Sequence, residues 1–221
     1  MGLFLVRHAR ATGDVIIVRY ADDIVMGFEQ RADAERFLQE WKERLHKFGL
    51  ELHPDKTRLI EFGRFAAERR KQRGEGKPET FNFLGFTHIC GRNYTTGHFA
   101  VHRRTISKRM IAKLKDIKAQ LRVRMHVRVR GTVRWLQQVV RGYFQFHAVP
   151  GNLARMASFR WQVLRLWYRT LRRRSQRSRL TWERFYASLA PLLPPVQAQH
   201  PYPDRRFDAK YPNILGRNRV R

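Results

Sequence analysis

Asp22 and Asp23 are the residues of this sequence whose type and spacing best suit chemistry. Two adjacent carboxylates are hard anionic oxygen ligands. Held on a rigid support, they suit Mg²⁺ that keeps positions open for phosphate oxygens. A pair of such ions activates a hydroxyl and stabilises a leaving pyrophosphate. Aspartate is also common wherever two strands reverse, so an isolated Asp-Asp pair reads first as a polar turn. What lies around the pair decides between these readings.

The flanking runs, Val15-Ile16-Ile17-Val18 and Ile24-Val25-Met26, are rich in β-branched residues and predict two strands joined by a tight turn that carries both aspartates. Tyr20 and Ala21 complete the tetrapeptide YADD. The segment resembles the YxDD palm hairpin of reverse transcriptases. That resemblance implies that Asp22 and Asp23 are catalytic and hold Mg²⁺, and that Tyr20 and Ala21 line the nucleotide site.

Three further segments follow in the order that the resemblance requires. From Ala34, the apolar positions Phe37, Leu38, Trp41, Leu45 and Phe48 recur at helical spacing, and Gly49 is placed to stop the helix. Its Glu35, Glu40 and Glu43 fall on the solvated face. Next comes GLELHPDKT, where Pro54 and Asp55 signal a turn, and then the alternating stretch 58–62, expected as a strand returning to the sheet. GLELHPDKT resembles the motif that follows the palm helix of reverse transcriptases, which implies that Lys56 lies near the incoming nucleotide's phosphates as a proton donor; a solvated loop lysine is the alternative. Residues 63–80 lack apolar periodicity, carry Arg69, Arg70, Lys71, Arg73 and Lys77, and read as a mobile basic loop. FNFLGF then resembles the primer grip of the same family, implying primer contact by Phe83, Leu84, Gly85 and Phe86. Alternating aromatics alone predict one buried strand face. His88, Cys90, His98 and His102 have irregular spacing and a single thiolate, so they predict a β-hairpin, with a loop over 91–97, rather than a zinc site.

The chain has 221 residues, enough for one large domain or two small ones, and a formal net charge of +28. That charge is unevenly placed. Residues 1–100 hold 17 Lys or Arg against 14 Asp or Glu, a balance of +3, and residues 101–221 hold 29 against 4, a balance of +25. Ordinary surface balancing does not explain such an excess, and phosphate binding does; nucleic acid is the expected partner, ahead of an anionic membrane surface. Cys90 is the single cysteine, which excludes an internal disulfide and fits a reducing cytoplasm. No apolar run reaches the length of a membrane span or a signal-peptide core, so a soluble intracellular protein is expected.

From about Thr105 the apolar positions Ile106, Met110, Ile111, Leu114, Ile117 and Leu121 predict a helix, a second is expected over 129–147, and a third over 153–174. Lys108, Arg109, Lys113, Arg141, Arg160, Arg165, Arg169, Arg172, Arg173 and Arg174 lie among them. The pattern predicts a small basic bundle that grips a nucleic-acid backbone. RGYFQFHAVPGN and SFRWQVLRLWYRTLRRRSQ resemble the thumb or maturase region of bacterial group II intron reverse transcriptases. Residues 181–221 open with a short helix near Trp182 and become proline-rich, extended and basic, which by the same resemblance implies a DNA contact.

The expectation is therefore an α+β chain. It comprises a partial reverse-transcriptase palm over 1–104, an antiparallel sheet with a packed helix; a helical thumb bundle over 105–180; and an irregular segment over 181–221. The resemblance implies RNA-templated DNA synthesis, with structured intron RNA, an RNA template, a DNA primer or target and dNTP as partners. Residues 1–13 contain no carboxylate to act as the further palm aspartate. The chain is thus expected to begin within the palm and not to polymerise alone, unless a separate fingers–palm fragment completes it. A non-catalytic, maturase-like RNA-binding protein is the competing expectation, and a decayed gene remains a further one.

Overall fold

A computed structural model describes residues 11–93, 97–175 and 179–201, which form two compact units, Met1–Glu79 and Thr80–Arg221. The first unit carries 16 Lys or Arg against 14 Asp or Glu, and the second 30 against 4.

In the first unit, β1 (Val15–Tyr20) and β2 (Asp23–Phe28) pair antiparallel, with Val15 opposite Phe28 and Tyr20 opposite Asp23. Side chains alternate between the two faces of such a ribbon. One face is covered by α1 (Arg31–His46), where Phe37 packs on Phe28 at 5.4 Å and Trp41 meets Phe37 edge-on at 5.3 Å. The other face leaves Ile16, Val18 and Tyr20 exposed. Asp33, buried in the first turn of α1, accepts hydrogen bonds from the Thr12 amide at 2.8 Å and the Thr12 hydroxyl at 2.9 Å. These bonds, together with Arg36, hold its carboxyl below the usual carboxylate range.

Two expectations for this unit are corrected. The stretch 58–62 is irregular, since among the described residues the only ladder here is that of β1 and β2 and no third strand joins it. The stretch 63–80, expected as a mobile basic loop, contains α2 (Ala66–Gln72). Its alanines and long side chains favour the helix, and carboxylates interleaved with the cations neutralise it. Arg73 donates to Glu61 and to Glu75, the latter at 2.7 Å, and Arg70 lies 3.4 Å from Glu75.

The second unit begins with a three-stranded antiparallel sheet of β3 (Phe81–Phe83), β4 (Phe86–Arg92) and β5 (Phe99–Thr105). Four helices follow: α3 (Ser107–Val123), α4 (Val129–His147), α5 (Leu153–Arg172) and α6 (Trp182–Ser188). Their core is the fully buried set Ile117, Leu136, Val140, Met156, Phe159, Val163, Trp167 and Phe185, with Trp167 edge-on to Phe185 at 5.2 Å. Thr181 caps α6 by accepting from the Arg184 amide at 3.3 Å. Pro191, Pro194 and Pro195 keep the segment beyond α6 out of a helix after one 3₁₀ turn (Ala190–Leu192). It is nevertheless docked, for Leu193 is buried and the Gln199 amide donates to Ala148 O at 2.9 Å. The tail beyond residue 201, part of the segment expected to contact DNA, lies outside the described residues.

The sheet and the helices of this unit are joined by Asn152, which is fully buried. Its carboxamide oxygen accepts from the Thr105 amide at 3.1 Å, and its nitrogen donates to the Thr105 hydroxyl at 2.7 Å and to His147 O at 2.8 Å. The Ile106 amide donates to Gly85 O at 3.2 Å, closing the same corner. The end of β5 is thereby tied to the helices of the same unit.

Candidate functional site

Ala21 and Asp22 form a two-residue turn between Tyr20 and Asp23, and Ala21 has φ +54. A positive φ at the first central residue and not the second is the sign pattern of a type II′ turn, which suits the twist of a hairpin. For alanine it costs about 1 kcal/mol. Arg19 Nε donates to Ala21 O at 2.9 Å and fastens the tip. Tyr20, Ala21, Asp22 and Asp23 are all exposed. Among the described residues neither aspartate forms an ion pair, and no cluster of three or more His, Cys, Asp or Glu stands ready for a metal. The tip thus offers two unshielded carboxylates. That donor set suits one Mg²⁺, an ion that is commonly held by one or two carboxylates with phosphate and water filling the other positions. Lys56 is exposed in the turn after α1, where its amide donates to His53 O at 3.2 Å. No hydrogen bond or ion pair joins it to the hairpin tip among the described residues.

In the second unit, Leu84 (φ +47) and Gly85 (φ +82) form the turn between Phe83 and Phe86. Two successive positive φ values mark a type I′ turn. Ala21 and Leu84 are the two non-glycine residues with positive φ among those described, and each sits at the tip of one of the hairpins singled out by sequence. A methyl group on Gly85 would lie 3.1 Å from an Arg109 guanidinium nitrogen and 3.3 Å from the Phe146 ring. Gly85→Ala is therefore expected to destabilise this unit by about 1–2 kcal/mol, and a denaturant midpoint equal to that of the parent would refute the close packing. Phe86 is buried, stacked on Phe146 at 5.7 Å and tilted against His147 at 5.6 Å. Burial pushes the His147 imidazole below its usual range and the neighbouring Tyr143 phenol up to about 12. The structure thus brings Gly85, Phe86 and Arg109 together; of these, Arg109 reaches solvent.

The other expected contacts divide by where their side chains go. Lys108, Arg141, Arg169, Arg172 and Arg173 are exposed. Lys113 pairs with Asp116 at 3.1 Å. Arg165 lies over the Trp161 ring at 4.5 Å, and Arg172 over Tyr168 at 6.0 Å. Arg160 and Arg174 donate to backbone carbonyls of their own unit. Arg160 donates to Pro194 O at 3.0 Å, Ala190 O at 2.7 Å and Leu193 O at 3.3 Å, clasping the proline segment. Arg174 donates to Met125 O and Val127 O, tying the turn after α3. Sequence reasoning missed Trp161, which is exposed on α5. Its signal was available, for Trp161 falls out of register with Phe159, Val163 and Trp167. It also missed a cleft of about 360 Å³ lined by Gln137, Arg141, Gln145, Pro195 and Gln199.

Residues 3–88 match the model of a protein family described as reverse transcriptase (RNA-dependent DNA polymerase). The matched stretch contains the Asp22–Asp23 hairpin, α1, Lys56 and the Phe83–Phe86 turn. No curated protein matches the chain. The α+β architecture is consistent with a partial reverse-transcriptase palm followed by a helical region. Among the described residues, no helix is long and apolar enough to cross a membrane.

Proposed function

We propose that the chain supplies palm and thumb elements of an RNA-directed DNA polymerase of the group II intron reverse transcriptase and maturase type, acting in the cytoplasm on intron RNA, an RNA template and a DNA primer. The observation that carries this reading is the pair of unshielded carboxylates at a two-residue hairpin tip, inside the stretch that matches the reverse-transcriptase family. In this reading Asp22 and Asp23 hold Mg²⁺, which when bound supplies charge stabilisation for nucleotidyl transfer. Tyr20 and Ala21 line the dNTP site. Lys56 gives a proton to the leaving pyrophosphate. The turn of Phe83, Leu84, Gly85 and Phe86 supports the primer, with Arg109 as its solvent-facing cation. A two-metal centre takes a further carboxylate, and the reading assigns this to a fingers–palm segment. Primer extension on a poly(rA) template with Mg²⁺ tests it, run with the chain alone and with a supplied fingers–palm fragment. Extension only with the fragment is the expected result.

The charge of the second unit favours a second reading, a maturase-like protein that binds RNA without catalysis. Its 30 cations against 4 carboxylates sit on a unit with its own core. Absence of extension in both arms, alongside salt-sensitive RNA binding, would select it. Both readings share one expectation. With Lys108, Arg109, Arg141, Arg165, Arg169, Arg172 and Arg173 each neutralising a phosphate of a single strand, log K falls against log salt with a slope of roughly −5, about 10³-fold between 50 and 200 mM. A filter-binding series at several salt concentrations measures that slope, and a flat dependence would exclude both.

A further inference from the structure

Helix α5 has two unlike faces. One buries Met156, Phe159, Val163, Leu164, Trp167 and Leu171 in the core. On the opposite side, residues 161, 165, 169 and 172 follow one another at intervals of four, four and three, so they stand one above another along a stripe. The stripe reads Trp161, Arg165, Arg169 and Arg172, and the helix contains no acidic residue. Trp161 is 48% exposed, although an indole is among the side chains with most to gain from burial. Arg165 lies over that ring at 4.5 Å and holds its cation against the indole face. Arg172 lies over the Tyr168 ring at 6.0 Å, two turns further along.

An exposed aromatic flanked by cations, on a helix without an acidic residue, suits a partner that has flat faces and negative charge. Nucleic acid has both, but a duplex does not present them together, because its bases are stacked on one another and its grooves offer edges and phosphates. A single strand does present them. Its unpaired bases stack on aromatic or guanidinium planes while the backbone tracks cations alongside. We propose that Trp161 and Arg165 form a stacking platform for an unpaired nucleobase of single-stranded RNA, with Arg169 and Arg172 engaging the phosphates beside it. This rests on the RNA-binding part of the function proposed above and adds what that reading left open, namely which strand form α5 takes and which side chain selects it.

The test is a fluorescence-anisotropy titration of the full chain at fixed salt, with a labelled uridine oligonucleotide, an RNA duplex of matched charge and a DNA strand of matching sequence. Trp161→Ala is expected to weaken binding of the uridine strand by about 5- to 100-fold, the range that loss of one stacked base gives. Duplex affinity should stay within about twofold, because the phosphate contacts that carry it are intact. Trp161→Phe keeps a π-face and should recover most of the loss, and Arg165→Gln should lower both the affinity and the salt slope. The ring lies at the surface, so an unchanged melting temperature will show that Trp161→Ala folds. If Trp161→Ala alters both RNA forms equally, or neither, the platform is refuted while RNA binding stands. Tighter binding of the DNA strand with the same Trp161 dependence would overturn RNA as the occupant. Failure of the parent chain to bind either RNA would overturn the functional reading and the platform together.

Discussion

Replacing both Asp22 and Asp23 by alanine is expected to lower primer extension by the complemented polymerase on the order of 10³-fold or more, with RNA affinity unchanged. The size follows from what the two carboxylates are asked to do. Removing a single preorganised stabilising group from an active site costs about 10²–10³ in rate, and here the whole carboxylate set of the hairpin tip is removed. The selectivity follows from where they sit. Both are exposed, neither forms an ion pair among the described residues, and they lie in the unit whose charge is nearly balanced, so the basic helical unit does not depend on them. Asp22→Asn with Asp23→Asn separates charge from shape, since each amide keeps the turn and loses the anionic ligand; it should be as inactive as the alanine pair. Single-turnover extension with the fingers–palm fragment measures the rate, and filter binding measures the affinity. Extension by the alanine pair at the parent rate would remove Asp22 and Asp23 from the chemistry.

Asn152→Ala is expected to be the most damaging single change in the helical unit that leaves every apolar contact of the core in place. It strands the Thr105 amide and hydroxyl and takes a donor from His147 O, all at a buried corner. Leaving buried polar groups unsatisfied costs about 1–3 kcal/mol each, and with partial relaxation the sum is about 3 kcal/mol. For a unit of this size that is a fall of roughly 10 °C in melting temperature. Thr105→Ala removes only the hydroxyl and keeps the amide bond, so about 1 kcal/mol is expected. Thermal unfolding followed by circular dichroism reads both variants, and a shift of only a degree or two for Asn152→Ala would show that the corner is hydrated.

Elements whose pattern and punctuation agree were legible in the sequence. Helix α4 (Val129–His147) has the predicted ends, because Val133, Leu136, Val140 and Phe144 hold a strict helical period and Pro150 and Gly151 interrupt it. The hairpin of β1 and β2 was legible for a similar reason, two β-branched runs meeting at a short polar turn. The stretch 58–62 was not legible in the same way. Its alternation fits a strand, but a strand also needs a neighbour, and a sequence window does not contain the neighbour. Residues 66–72 failed the other way, for a run without apolar periodicity forms a helix whose Arg70, with the adjoining Arg73, finds counterions in Glu75 and Glu61 outside it. The basic residues mark the deepest limit. Arg160, Arg165 and Arg169 look alike in the sequence, yet the first clasps three carbonyls, the second lies over an indole and the third faces water. Side-chain destination depends on what the fold brings near, so charge was readable and role was not.

The Asn152 corner also bears on the order in which the chain can acquire its structure as it is synthesised. Thr105 and Asn152 are separated by 47 residues. At about 5–20 residues per second, the end of β5 waits roughly 2–10 s after it is made before its partner exists. During that interval the hairpins of β3, β4 and β5 can pair locally, since their contacts are close in sequence. Their last residue, however, keeps its amide and hydroxyl on water until α4 has emerged and turned. A nascent chain halted within α4 would hold a formed sheet with nothing to anchor it, and the helices would arrive to complete a corner already half built.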